Sequence, residues 1–261
     1  MTAPSDIELG HVLVALIQPH EGHERAFHRW YERDHLYTLG ASAPGNLAAS
    51  LWVAPEALRR QRLPIGENAI TGDPMLGTHL STFWIQRGML ETQQAWVTDR
   101  MEQQRADGLM FPHRDHLNTQ RYDVRACLRR DPDGVPPELA LHHDYPGVVA
   151  SWIDCTPGQT LSQLDTALCE GALPEWMAGS PVELSIVLDL LPKPANWPAD
   201  LPEPPGLGER LLVLHFLAEP PSACFGTAFS AFADRLAECG AGELRLAAPF
   251  DANVAGTDPA P

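Results

Sequence analysis

The 261-residue sequence predicts an α+β chain in which one order of elements, βαββαβ, occurs twice. Three observations carry that reading. Short apolar runs bounded by proline or glycine read as strands, and they alternate with longer stretches that read as helices. The order of these elements in the first half recurs in the second. Matching punctuation lies at a near-constant offset of 136 to 137 residues, Gly22 against Gly158 and Pro44 against Pro181, which points to a duplicated unit.

In the first copy HVLVALI (11–17) is a strand apolar on both faces, and a helix over 21–38 is expected to cover one of them. LAASLWV (47–53) is the second strand and HLSTFWIQ (79–86) the third, followed by a helix over 89–106 and a strand within 119–128. The intervening stretch 55–78 holds Pro64, Gly66, Gly72, Pro74 and Gly77, a loop long enough to suggest a lid. The second copy runs GVVASWID (147–154), a helix over 161–173, VELSIVLDL (182–190), RLLVLHFL (210–217), a helix over 222–239 and ELRLAA (243–248). The proline-rich stretch 191–208 reads as an ordered surface loop of polyproline II character. The divisions are 1–130 for the first unit, 131–146 for a linker, 147–250 for the second unit and 251–261 for a small, polar tail expected to be disordered unless docked. A four-stranded sheet with both helices on one face leaves its other face bare, so the two copies are expected to pack sheet to sheet as ferredoxin-like units with a pocket between them.

Composition narrows the function. Eighteen basic against 34 acidic residues give a net charge of −16, a surface that repels nucleic acid and anionic lipid. No stretch is apolar enough for a membrane span, and the N-terminus lacks the basic and apolar regions of a signal peptide, so a cytoplasmic protein is expected. Five cysteines without CxxC spacing read as free thiols rather than a disulfide or zinc framework. Nucleotide-binding glycine fingerprints and a G-x-S-x-G elbow are missing, which excludes the commonest dehydrogenase, kinase and hydrolase designs.

The run Phe27, Trp30, Tyr31, His35, followed nine residues later by Pro44-Gly45, resembles the start of EthD-like proteins of the dimeric α+β barrel superfamily. The resemblance covers residues 11–53; the second half shares only the order of elements. It implies a dimeric α+β barrel formed within one chain, a monomer acting as a pseudo-dimer or a homodimer of such chains, with a cavity for small, aromatic or polyketide-like molecules. Relatives of that fold include cyclases, isomerases, dehydratases, cofactor-free monooxygenases and haem enzymes, and fold alone does not choose among them. The resemblance places His35 near the cavity mouth; Ala172 occupies its place in the second copy, giving one asymmetric site.

His35 has the intrinsic pKa to take and return a proton near neutrality, with Asp34 or Glu32 to orient it; a histidine there also suits a helix C-terminus. Tyr31, four residues earlier, is either an oxygen partner for a substrate or a packing tyrosine, while Phe27 and Trp30 read as core. On the third strand His79, Ser81 and Phe83 share one face and Leu80, Thr82 and Trp84 the other, and either face is a candidate cavity lining. Trp84, His79, Phe83 and His215 are the expected substrate-binding residues. His28 is expected on the solvent side with Glu24 and Glu32, and His20 and His23 at the helix start give a weak metal signal, so no metal site is expected. Whether His113 and His116, or His142 and His143, reach the site is open.

The leading expectation is a cofactor-independent proton-transfer enzyme of lyase or isomerase type, an isomerase, cyclase or dehydratase for a small apolar or aromatic carbonyl compound. His35, Tyr31 and Asp34 are its expected catalytic residues. A haem-binding or cofactor-free oxygenase of the same fold is the first alternative, with haem as the cofactor it admits. A non-catalytic ligand-binding module is the second, favoured if side chains fill the cavity.

Overall fold

A computed structural model describes residues 7–194 and 204–257. Its eight strands are β1 (Leu9–Pro19), β2 (Asn46–Val53), β3 (His79–Gln86), β4 (Arg114–Arg129), β5 (Gly147–Asp154), β6 (Val182–Leu190), β7 (Arg210–Leu217) and β8 (Glu243–Ala252). They form one closed antiparallel ring in the order β1-β3-β2-β8-β5-β7-β6-β4. Each half of the ring is a ferredoxin-like sheet, β4-β1-β3-β2 or β8-β5-β7-β6, and two seams join the halves. The β4–β6 seam is long, running from Tyr122 opposite Leu190 to Arg129 opposite Leu184; the β2–β8 seam pairs only Trp52 with Ala252 and Val53 with Asp251. The expected tandem fold is present, and closure removes the exposed sheet edges that two separate sheets would carry.

Closure decides what the inside is made of. Alternation along each strand sends Val12, Val14 and Leu16 of β1 inward with Val148, Ala150 and Trp152 of β5, and the other strands follow. Trp52, Trp84, Tyr122, Trp152, Phe216 and Phe250 all lie in this one buried cluster. Each contributes about 1.5–3 kcal/mol by leaving water, so the filled interior is the main source of stability. The inter-sheet space expected as a substrate pocket is therefore the hydrophobic core.

The helices lie outside the ring. Helix α1 (Glu24–Trp30) continues as a π-helix over Tyr31–Ala41, and α3 (Leu90–Ala106) is the second helix of the first unit. In the second unit α5 (Leu161–Thr166), a π-helix over Ala167–Ala172 and α6 (Leu173–Ala178) run in succession, and α7 (Pro221–Cys239) follows β7. The π-helices begin at Tyr31 and Ala167, 136 residues apart, so this backbone feature belongs to the duplicated unit. Thr160 and Gln163 form a reciprocal capping box at the start of α5.

Two short helices change expectations about the connections. Stretch 55–78 contains α2 (Glu56–Arg59) and is fastened rather than lid-like: Leu63 pairs with Ala247 of β8, and Arg62, 2% exposed, donates to the carbonyls of Pro74, Leu76 and Gly77. Stretch 131–146 contains α4 (Pro137–Ala140) and places Ala140, Leu141 and Tyr145 in the interior cluster, so it is built into the barrel. The tail docks as far as it is described: β8 runs to Ala252, and Asn253 Nδ2 and the Gly256 amide both donate to Glu32. Residues 195–203 of the proline-rich loop lie outside the described residues.

The Pro44-Gly45 turn is explained by geometry. Gly45 has φ of +77°, its carbonyl accepts from the Gln86 amide, and an added Cβ would meet the Met89 Cβ at 2.5 Å. Asn46 then donates to the carbonyls of Leu39 and Gly40, satisfying the end of the π-helix. Gly45→Ala is expected to destabilise the protein by about 1–3 kcal/mol through left-handed strain and the Met89 clash, read as a lower urea midpoint with the slope unchanged.

Candidate functional site

The outer face of the first sheet carries Ala15 and Ile17 of β1, Leu51 of β2 and Phe83 of β3, and the α1 segment covers it with Phe27, Tyr31 and Leu39. The odd-numbered positions of β3, His79, Ser81 and Phe83, thus face the helices, while Leu80 and Trp84 face the interior. The four expected substrate-binding residues are consequently divided among three places. Trp84 is a core residue inside the barrel, 6.2 Å from Phe216. His79 and Phe83 lie under the first helix layer. His215 lies under the second, where Trp176, Phe229 and Phe232 surround its ring at 5.2–5.4 Å and Ser185 Oγ meets Nδ1 at 2.9 Å. Cross-strand register makes Phe83 and His215 equivalent, since Leu13 pairs with Phe83 and Val149, 136 residues on, with His215.

His35 and Tyr31 do come together. The ring of His35 lies 4.8 Å from Tyr31 and 4.5 Å from Trp30, and the Arg114 guanidinium sits over the Trp30 ring at 4.8 Å. Tyr31 is fully buried and donates its hydroxyl hydrogen to Ser81 Oγ at 2.6 Å, which leaves the Ser81 hydrogen available. His35 is 8% exposed, and its Nδ1 is buried with no hydrogen-bond partner. Burial, reinforced by Arg114 and His116, pushes its pKa down to about 3, so the imidazole is neutral at pH 7. Burial likewise holds the Tyr31 phenol well above its ordinary pKa. Asp34, expected to orient His35, is exposed and does not hydrogen-bond its buried Nδ1. Glu32 serves a different histidine.

That histidine is His28, which is fully buried rather than on the solvent side. Its Nε2 lies 3.5 Å from Glu32 Oε1 and its Nδ1 3.3 Å from His79 Nε2, while His79 Nδ1 meets Thr78 Oγ1 at 2.9 Å. One proton arrangement suits the two hydrogen bonds, Thr78 donating to His79 and His79 to His28, while the Nε2 side of His28 faces the Glu32 carboxylate. This network joins the helix, β3 and the docked tail. Of the loop histidines, His113 stacks on His23 at 3.8 Å and His116 bonds Thr119 at 2.8 Å beside the His35 group. His142 and His143 line a separate surface pocket with Glu183 and Tyr145. Among the described residues no cluster of histidine, cysteine and carboxylate has the geometry of a metal site.

A groove of about 360 Å³ opens between α3, the outer faces of β1 and β4, and residues 191–194. Leu13, Val97, Met101 and Pro192 give it apolar walls, and Gln94, Thr119 and Arg121 supply polar groups. Val97 and Met101 also pack against the buried cluster of the first helix–sheet layer to which Tyr31 belongs. Sequence periodicity did not reveal this space; its signal was α3 itself, which buries Gln93 and Gln104 and has only Trp96, Val97 and Met101 as central apolar residues. In the second unit α7 instead buries Phe225, Phe229, Phe232 and Leu236.

No family model matches the sequence, and no curated protein matches it. Solved structures do. An anthrone oxidase-like protein superposes with a TM-score of 0.53 at 12% identity, covering 97% of this chain and 96% of that one. A protein described as a candidate chlorite dismutase gives 0.51 at 11% identity over 95% and 96%. The chain thus shares the tandem ferredoxin-like barrel fold of these two structures; they do not show the EthD-like group. Neither neighbour is described as a lyase or isomerase, and at this identity the likeness shows the fold alone.

Haem can be tested against the residues present. An axial histidine needs a nitrogen facing a flat open space. The His35 ring is packed against Trp30 and Tyr31, His215 is enclosed by three aromatic rings, and both ring nitrogens of His79 are engaged. The groove beside α3 is lined by no histidine. The histidines of the two helix–sheet layers therefore do not fit an axial haem ligand, and His142 and His143 line a separate surface pocket.

Buried neutral histidines link this layer to stability. His35, His79 and His215 all have pKa values lowered to about 3 by burial, below the unfolded value near 6.5. Their contribution is therefore complete above pH 6.5 and is lost as the pH falls toward 3, by about 1.4 kcal/mol per pH unit for each. His215→Phe, which installs the residue of the first unit, is expected to flatten the fall in urea midpoint between pH 7 and 5.

Proposed function

We propose that the protein is a cofactor-independent oxidase or monooxygenase of a small aromatic ketone that ionises at a C–H conjugated with its carbonyl. The substrate enters by the groove and reacts in the helix–sheet layer of the first unit, Val97 and the adaptable Met101 moving to admit it. The observation that carries this reading is the buried, unpartnered and neutral Nδ1 of His35 beside the Tyr31–Ser81 hydroxyl pair. The anthrone oxidase-like neighbour supports the substrate class, since an anthrone is a ketone of this kind.

His35 accepts the carbon-bound proton, and the free Ser81 hydrogen points its donor capacity at the developing oxyanion. A dry surrounding disfavours an isolated imidazolium, but here the enolate forms next to it, and the two charges stabilise each other strongly at low dielectric. The enolate passes one electron to dioxygen, and the resulting radical pair combines to form a C–O bond. The peroxide anion takes back the proton from His35, and the resulting hydroperoxide loses its remaining C–H proton as the O–O bond breaks, releasing water, so ketone and O2 give diketone and H2O. No metal or organic cofactor is needed for the balance.

Oxygen uptake with anthrone as substrate tests this reading in buffer treated to remove metals. The expected result is uptake of one O2 per anthrone well above the uncatalysed rate, with His35→Ala lowering the rate about 100-fold or more and Tyr31→Phe about tenfold. An uptake rate equal to that of buffer, or full activity in His35→Ala, overturns it.

A further inference from the structure

The floor of the groove holds a charge that packing does not call for. Arg121 lies on the outer face of β4 opposite Leu13, is half-buried, and has no carboxylate partner among the described residues. Its two terminal nitrogens donate to neutral acceptors, Nη1 to Gln94 Oε1 at 2.6 Å and Nη2 to the Pro192 carbonyl at 2.8 Å, which leaves three of its five N–H donors unassigned. The second unit shows what the same place holds when it is only packed. Val149, equivalent to Leu13, pairs with Pro249, and Ser151, equivalent to Ala15, pairs with Ala247 where the first unit has Thr119. There Ala247 belongs to the cluster beneath the phenylalanines of α7. In the first unit the helix stands off and a guanidinium replaces the proline.

Charge in the rest of the molecule sharpens the contrast. The chain carries nearly two acidic residues for each basic one, 34 against 18, yet the groove brings together Arg105 and Arg121 with Glu102 as the one carboxylate among its described lining residues. An anion is thus drawn to a locally basic recess in an acidic surface. A guanidinium presents a planar fork suited to a carboxylate, and the apolar walls of Leu13, Val97, Met101 and the prolines suit a flat hydrocarbon body.

We infer that the groove binds a small aromatic carboxylic acid, its carboxylate on Arg121 and its ring system between α3 and β4. This deepens the reading above and rests on it in one respect, that the acid is a substrate or product feature; the binding itself stands independently. Titration calorimetry of the full-length protein with 9-anthracenecarboxylate, and with neutral 9-anthracenemethanol of the same ring size, tests it. The acid is expected to bind at least tenfold tighter than the alcohol, Arg121→Met to weaken acid binding at least tenfold and alcohol binding by less, and Arg121→Lys to retain part of the preference. Raising the salt concentration should weaken the acid and not the alcohol. Equal affinity for acid and alcohol, an acid affinity unchanged in Arg121→Met, or no binding of either compound overturns the inference. Oxygen uptake on anthrone without Arg121-dependent acid binding would leave the proposed reaction standing and remove only the carboxylate; the converse would do the opposite.

Discussion

Everything else in this molecule follows from how a closed ring of eight strands fills its interior. Once β2 meets β8 and β4 meets β6, every inward side chain must find its volume within the ring, and tryptophan, tyrosine and phenylalanine from both units occupy it. That buried cluster holds the fold. The proposed chemistry lies on the outer face instead, where each sheet meets its helices, and the two halves of the chain build that layer differently.

The second unit closes its layer. Phe225, Phe229, Phe232 and Trp176 bury a lone histidine, His215, whose hydrogen bond to Ser185 offsets part of the cost of removing it from water. The first unit keeps its layer polar. Tyr31 bonds Ser81, His28 bonds His79 and answers to Glu32, His35 retains an unpaired nitrogen, and α3 stands away over Arg121. The π-helices start at equivalent points, so His35 falls against Gly171 or its neighbour Ala172, neither of which titrates. On the proposed reading one copy stabilises and the other carries the site, and a single backbone design serves both.

Much of this was legible in the residues. The strands at 79–86, 147–154, 182–190 and 210–217 stand where their apolar runs and flanking prolines place them. The Trp30, Tyr31, His35 and Pro44-Gly45 spacing marks a real unit, because Tyr31 meets β3 and Gly45 makes the turn that only glycine fits. Face assignment was not legible: both faces of β1 and β3 are apolar, and alternation separates two faces without saying which is inside. Trp84 went to the core and Asp34 to solvent because the ring closes and the π-helix turns, both consequences of distant contacts. Arg121 escaped notice because a charge on a strand reads as solvent-facing until the helix above it is seen to bury glutamines instead of leucines.

The central claim is that a small molecule occupies the helix–sheet layer of the first unit and not the barrel interior. Tryptophan indole N–H signals, assigned by single replacements and followed by NMR during titration with 9-anthracenecarboxylate, read the two locations separately. Trp30 packs with His35 and Trp96 with the wall of the groove, whereas Trp52, Trp84 and Trp152 are interior. Shifts confined to Trp30 and Trp96 are predicted; shifts in Trp52, Trp84 and Trp152 with Trp30 and Trp96 unmoved would contradict the account.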